Sequence, residues 1–287
     1  MDSSLLRQPS LRVAWPATSA RTRVKWRDWG LLIACAPLLA LLLLPILALV
    51  LKTPPGIWLR YLGSASTLQA ISLSLVTSTA TAVVVVILGL PLAYVLARRR
   101  LRGQQLVEAL IDLPTVLPPA VAGLALLMAF GRRGLMGGWL QSLGIEIAFT
   151  PVAVMMAQMF VAAPYYIKTA SIGLAGVSVD LERAAALDGA GSLQVLRFIT
   201  LPLAWRGIVG GIVLCWARAL GEFGATIIFA GNTPGRTQTM PLAVYLGFEI
   251  DLNQALTLGV ILLVLSFSLL VAVRAILRDK ADASSEA

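Results

Sequence analysis

Apolar residues gather in six long runs, at about 30–51, 68–97, 107–130, 150–173, 207–230 and 254–277, separated by charged, proline-rich or glycine-rich connections. Each run reaches the roughly 20 residues that an α-helix needs to cross about 30 Å of hydrocarbon. The pattern predicts an all-α polytopic membrane protein with about six transmembrane helices. The second run exceeds what a perpendicular span requires, and Gly89 with Pro91 suggests a bend or an extension near its end. The third run holds Pro114, Pro118 and Pro119, and the fourth holds Pro164. Prolines at membrane depth free backbone carbonyls, so kinks are expected in both, as ordinary geometry or as parts of a gate. The run from Leu31 to Leu51 is too long for a signal-peptide core and lacks a clear small-x-small cleavage site, so it reads as a retained first span.

Composition agrees with the pattern: 58% of residues are hydrophobic and 13% charged, against about a quarter charged in soluble domains. The formal net charge of +9 would point a soluble chain toward nucleic acid, but here the basic residues sit between the apolar runs. No nucleic-acid partner is expected. Counting Lys and Arg in alternate connections gives seventeen on one side of the membrane and five on the other. That asymmetry places both termini, the 98–106 loop and the 168–206 loop in the cytoplasm. The expected organisation is a basic cytoplasmic tail over 1–29, a transmembrane domain over 30–278 and a short cytoplasmic tail over 279–287, the outermost parts poorly ordered. Cys35 and Cys215 fall inside apolar runs and read as small core residues. The chain has no histidine, which removes His-based metal sites, Ser-His-Asp triads and Cys-His dyads. No internal repeat stands out.

The connection from about 174 to 206 is too long for a plain hairpin between spans and is expected to have a fold of its own. Ser178 or Asp180 can cap a short helix, Ala184 to Ala186 favour its centre, and Gly189 or Gly191 can end it in the left-handed conformation. A second short helix is expected from Ser192 to Thr200, stopping at Leu201-Pro202. The product is a compact hook with small residues on one side, rigid enough for a soluble partner to push.

In these residues the chain resembles the inner-membrane permeases of binding-protein-dependent ABC importers. Their cytoplasmic signature is Glu-Ala-Ala, a glycine four residues after the second alanine, and a later branched apolar residue, any residue, Leu and Pro. Ala184, Ala185, Gly189, Leu201 and Pro202 fall at matching positions, whereas Arg183 stands where the glutamate often does and Glu182 directly precedes it. The resemblance implies a type I importer architecture in which the hook, as a coupling helix, seats on an ATP-hydrolysing subunit through Glu182, Ala184, Ala185, Gly189, Leu201 and Pro202. It further implies a second permease copy in a homodimer, two ATP-binding subunits that hold ATP and magnesium, and an extracytoplasmic oxyanion-binding protein, at a bacterial inner membrane. The chain has no Gly-x-x-x-x-Gly-Lys-Ser/Thr of its own, so it reads as a transport subunit and not an enzyme, with no cofactor.

A second stretch narrows the resemblance. Trp216-Ala217-Arg218-Ala219-Leu220-Gly221-Glu222-Phe223-Gly224 and Gly231-Asn232-Thr233-Pro234-Gly235-Arg236 look like the molybdate branch of the sulfate, molybdate and tungstate permeases, as do Leu113–Pro119 and Gly131–Gly134. The similarity covers about 65–278 and implies molybdate or tungstate import, with sulfate or thiosulfate as the nearer alternative. A secondary transporter is a further alternative, but it would need intramembrane carboxylates, of which Glu222 is the one clear example, and would have no use for the hook. Arg218 and Glu222 lie eleven to fifteen residues into the fifth run, and i, i+4 spacing lets them pair. Two readings stand open: a buried ion pair that fixes packing, and a lining of the translocation path.

Overall fold

The structure, a computed structural model, describes residues 26–99 and 102–283, and every regular element in them is helical. The basic residues from Arg7 to Lys25, Arg100, and residues 284–287 of the C-terminal tail lie outside the described residues. The chain divides into two units, Met1–Ala48 and Leu49–Ala287. The first is described from Trp26 as helix α1, Trp26–Lys52, which carries Pro37 and Pro45 and ends just inside the second unit. The second unit holds α2 (Pro55–Leu62), α3 (Ala65–Arg98), α4 (Gln104–Val116), α5 (Pro119–Phe130), α6 (Gly137–Ser142) and α7 (Pro151–Ala175). It continues with α8 (Val179–Leu187), α9 (Ser192–Val195), a π-helical turn (Leu196–Thr200), α10 (Leu201–Leu220), α11 (Gly224–Phe229), α12 (Met240–Ile250) and α13 (Leu252–Ala283).

Among the described residues four helical stretches are long and apolar enough to cross a membrane: Ile33–Lys52, Ala65–Arg98, Ser192–Leu220 and Leu252–Ala272. The third apolar run is not one straight helix. It is the pair α4 and α5, bent by 113°. The bend falls at Leu117-Pro118, where the residue before a proline is driven out of the α region and Leu117 is extended (φ −63°, ψ 137°). The fourth run, α7, has 25 residues and carries Gln158, Pro164 and Lys168, so its composition is less lipid-like. With the bent pair counted once, α7 completes the six runs of the sequence.

α7 is the centre of the second unit. Its small residues Ala153, Ala157, Ala162 and Ala170 are fully buried and let α3, α5, α10 and α11 approach closely. A Cβ on Gly207 of α10 would lie 2.5 Å from the Gly173 Cα of α7, so the two backbones nearly touch there. The Tyr166 ring is wedged between Gly89 of α3 and Gly211 of α10, where added Cβ atoms would meet it at 2.9 and 3.1 Å. Gln158 is buried but satisfied: Thr81 Oγ1 donates to its Oε1 at 3.0 Å, and its Nε2 donates to Thr77 Oγ1 at 3.2 Å. The same α3 face continues to Ser74, whose Oγ accepts from the Met240 amide at 2.7 Å and so fixes the start of α12.

Candidate functional site

The hook begins where α7 ends. Ser178 caps α8, its Oγ accepting from the Asp180 amide at 3.2 Å, and Asp180 and Glu182 place negative charge in the first turn, where the helix dipole favours it. The end is a Schellman motif: the Gly189 amide donates to Ala186 O at 3.1 Å and the Ala190 amide to Ala185 O at 3.0 Å. Gly189 has φ +92°, and a Cβ there would meet none of the described residues within 4 Å, so the position demands glycine for conformation and not for space. Between the two candidates at each end, Ser178 and Gly189 are the residues used.

The second hook helix departs from expectation. α9 is only four residues, and the chain does not stop at Leu201-Pro202 but runs through a π-helical turn into α10. The reason is Pro202, which has no N–H and cannot sit in a regular helix interior without losing a bond. In the π turn the Leu201 amide donates to Leu196 O, five residues back, and this one-residue shift accommodates the proline within a continuous helix.

The matched signature residues have different surroundings. Ala184, Gly189 and Pro202 are exposed, and Ala185 and Leu201 are half-buried. Leu187, in the last turn of α8, is 89% exposed, and Leu181, Leu193 and Phe198 of the hook are exposed as well. Glu182 turns inward. Its Oε1 accepts from Arg98 Nη2 at 2.8 Å and from Thr200 Oγ1 at 2.6 Å. Arg98 Nη2 also donates to Val177 O at 3.0 Å. Sequence reasoning misses Arg98, which looks like one of many topogenic arginines, and Thr200, which looks like a spacer; the intervals of 84 and 18 residues to Glu182 leave no local signal.

Arg218 and Glu222 also differ from expectation, because the fifth run is not a helix to residue 230. α10 ends at Leu220, Gly221 caps it, and α11 is a separate short helix. Arg218 therefore occupies the last turn, about 24 Å along the axis from Pro202 at 1.5 Å per residue, and Glu222 lies just past the end. Glu222 Oε2 is 2.8 Å from Arg218 Nη1, with the side chains 1% and 29% exposed. Glu222 Oε1 accepts from the Ala225 amide at 2.8 Å, so one carboxylate neutralises Arg218 and holds the break between α10 and α11.

Across the length of α7 from the hook, a cavity of about 350 Å³ is lined by Arg132, Arg236, Gln141 and Glu146 among others. Arg132 Nη2 donates to Glu146 Oε2 at 2.9 Å. Beyond these ion pairs the second unit carries Lys168 Nζ against Asp112 Oδ2 at 2.7 Å, which ties α4 to α7.

Comparison with known proteins gives this geometry a context. The family model for the inner membrane component of binding-protein-dependent transport systems matches residues 86–280, hook included. The molybdenum transport system permease protein ModB of Mycobacterium tuberculosis is 42% identical over 224 residues, covering 78% of this chain and 84% of the relative. The probable transport system permease protein NifC of Clostridium pasteurianum is 35% identical over 241 residues (83% and 84%). The probable sulfate transport system permease protein cysT of Nephroselmis olivacea is 32% identical over 250 residues (86% and 88%). In fold, a bacterial ABC transporter that imports the acidic polysaccharide alginate superposes with TM-score 0.70 at 16% identity, covering 88% of this chain and 96% of that one. With the family matched over most of its length and the helical hook in place, this chain belongs to the inner membrane components of binding-protein-dependent transport systems and has the fold of a type I ABC importer permease.

Proposed function

We propose that this chain is the membrane-spanning subunit of an ATP-driven molybdate importer. The observation that carries the reading is the hook: a capped helix with an exposed apolar tip, set between the two long helices α7 and α10. The substrate follows from relatedness, since identity to ModB is 42% and to cysT 32%. Tungstate, of nearly the same size and charge, is accepted with molybdate. Arg132 and Arg236 at the far cavity suit the approach of a dianion, and Arg218, partly open at the end of α10, offsets its charge further in. Neither binds tightly, because a conduit has to release its cargo.

ATP and magnesium belong to a partner subunit. Two permease copies each present one hook to one ATPase, an extracytoplasmic binding protein delivers the oxyanion, and both termini face the cytoplasm. The test is uptake of labelled molybdate into vesicles holding the permease, its ATPase and its binding protein. Uptake is expected to need ATP, to be abolished by excess tungstate and to resist excess sulfate. Equal competition by sulfate moves the assignment to sulfate import, and uptake driven by an ion gradient without ATP discards the importer reading.

A further inference from the structure

Glu182 is the one carboxylate of the hook that turns inward, and the residues bonded to it or to its arginine come from three parts of the chain. Arg98 is in the last turn of α3, where a cation is also favoured by the helix dipole, and its side chain is 9% exposed. Thr200 is 1% exposed and closes the π-helical turn that leads into α10. Val177, whose carbonyl takes a second bond from the same Arg98 nitrogen, is the buried residue between α7 and α8. The hook is thereby fastened to the membrane helices at one carboxylate oxygen, Glu182 Oε1. The rest of α8 has no buried residue.

We propose that Arg98, Glu182 and Thr200 form a clasp that passes displacement of the hook to α3 and α10 together, so that Glu182 is a positioning residue inside the permease and not a docking group for the ATPase. Three features favour a mechanical link over a passive staple. A buried charge pair couples its elements strongly, since separating it strands a charge away from water. The element on which Thr200 sits is a π turn, a local widening of the helix of the kind often found at functional sites, and it leads directly into α10. The Arg98 contact is end-on: one Nη nitrogen serves both acceptors, while the buried Nε has no partner among the described residues. A buried donor without an acceptor is costly, and a side-on fork to both Glu182 oxygens would satisfy it. The clasp thus has a second arrangement available, reached by rotating α8 relative to the end of α3. Two discrete arrangements are what a coupling element needs.

The inference rests on the importer reading for its driving force, the ATPase acting on the hook, and not on which oxyanion is carried. The experiment compares wild type, Glu182→Gln, Arg98→Met, the double of these two, and Thr200→Val in the reconstituted complex with the ATPase. Amide hydrogen exchange is followed with and without ATP, together with molybdate uptake per ATP hydrolysed. In wild type, ATP is expected to change exchange in α8, at the end of α3 and in the 196–200 turn at once. In Glu182→Gln and Arg98→Met the change is confined to α8, uptake per ATP falls at least roughly fivefold, the low end of coupling between sites, and the double variant is no worse than either single. Thr200→Val, which keeps the shape, lies between and covers the case in which a charge variant fails to assemble. Spread of the ATP effect to α3 in the variants as in wild type overturns the clasp. So does loss of ATPase assembly on changing Glu182 but not Arg98, the pattern of a docking group. Normal spread in a wild type that takes up no molybdate faults the substrate assignment and leaves the clasp standing.

Discussion

At the scale of single residues, two positions carry sharp expectations. Gly189 ends the hook helix at φ +92° in open space, so Gly189→Val meets no clash and is penalised by conformation alone, at about 1–2 kcal/mol for a left-handed residue with a β-carbon. Membrane insertion is expected to be normal and uptake to fall, as read by quantitative membrane blots beside the vesicle assay; unchanged uptake would detach the hook from transport. Arg218 and Glu222 demand a series. Arg218→Gln strands the 1%-exposed Glu222 and is expected to lower stability by up to about 3 kcal/mol, the low end for buried pairs because Arg218 is partly open. The double Arg218→Gln, Glu222→Gln restores most of that, since the amide oxygen introduced in place of the Glu222 carboxylate can still accept from the Ala225 N–H. Thermal unfolding and uptake are then read together: a stable double that transports like wild type leaves the pair a purely structural role, and a stable but slow double places Arg218 on the path.

Between elements, the close crossing of α7 and α10 makes a prediction that helix propensity alone would reverse. Gly207→Ala should favour the helix by about 1 kcal/mol, yet its Cβ would lie 2.5 Å from the Gly173 Cα, and forcing the backbones apart costs about 1–3 kcal/mol. The expected result is a lower melting temperature in detergent. Gly210→Ala on the same helix, whose Cβ would have Thr169 Cγ2 at 3.8 Å as its one near neighbour among the described residues, is expected to be neutral or stabilising. If both substitutions raise the melting temperature, the crossing is not as tight as described. A second link between elements is sensitive to pH. The Tyr61 hydroxyl of α2 donates to Asp251 Oδ2 at 2.7 Å, at the start of α13. That bond, with help from the Asn253 and Gln254 amides, holds the Asp251 carboxyl below its ordinary pKa, while it pushes the Tyr61 hydroxyl up. A carboxyl with a depressed pKa in the folded state stabilises above its unfolded pKa and loses that contribution as pH falls through the folded one. Wild type is therefore expected to melt higher than Tyr61→Phe above about pH 5, and the two curves should converge in acid. A constant difference across the range would remove Asp251 as the cause.

For the whole molecule, one hook per chain predicts two permease copies with two ATPase subunits, and native mass measurement of the purified complex checks it; one permease copy, or two different ones, would refute the homodimer. The apolar runs were legible because crossing a bilayer is a demand on composition over about 20 residues, and the hook was legible because caps, alanines and glycine act within a few residues of one another. The family signature stood in the same local segment. By contrast, hydropathy alone could not reveal that the fifth run breaks at Gly221, since Gly224–Phe229 is as apolar as the helix before it and the break is held by a side chain reaching back to Arg218. The 113° bend at Leu117-Pro118 was foreshadowed by its prolines as a kink, but its size depends on what α5 packs against, namely α11 and α7. Glu182 is the clearest case. Its place in the sequence marked it as part of the coupling loop, while its inward turn was decided by Arg98 and Thr200, brought to it only when α3, α8 and the root of α10 meet. Sequence by itself determined what each segment must be, because burial in lipid and helix ending are local demands; tertiary structure decided which charged groups face each other, because the cost of a buried charge is settled only by the partner that the fold brings to it.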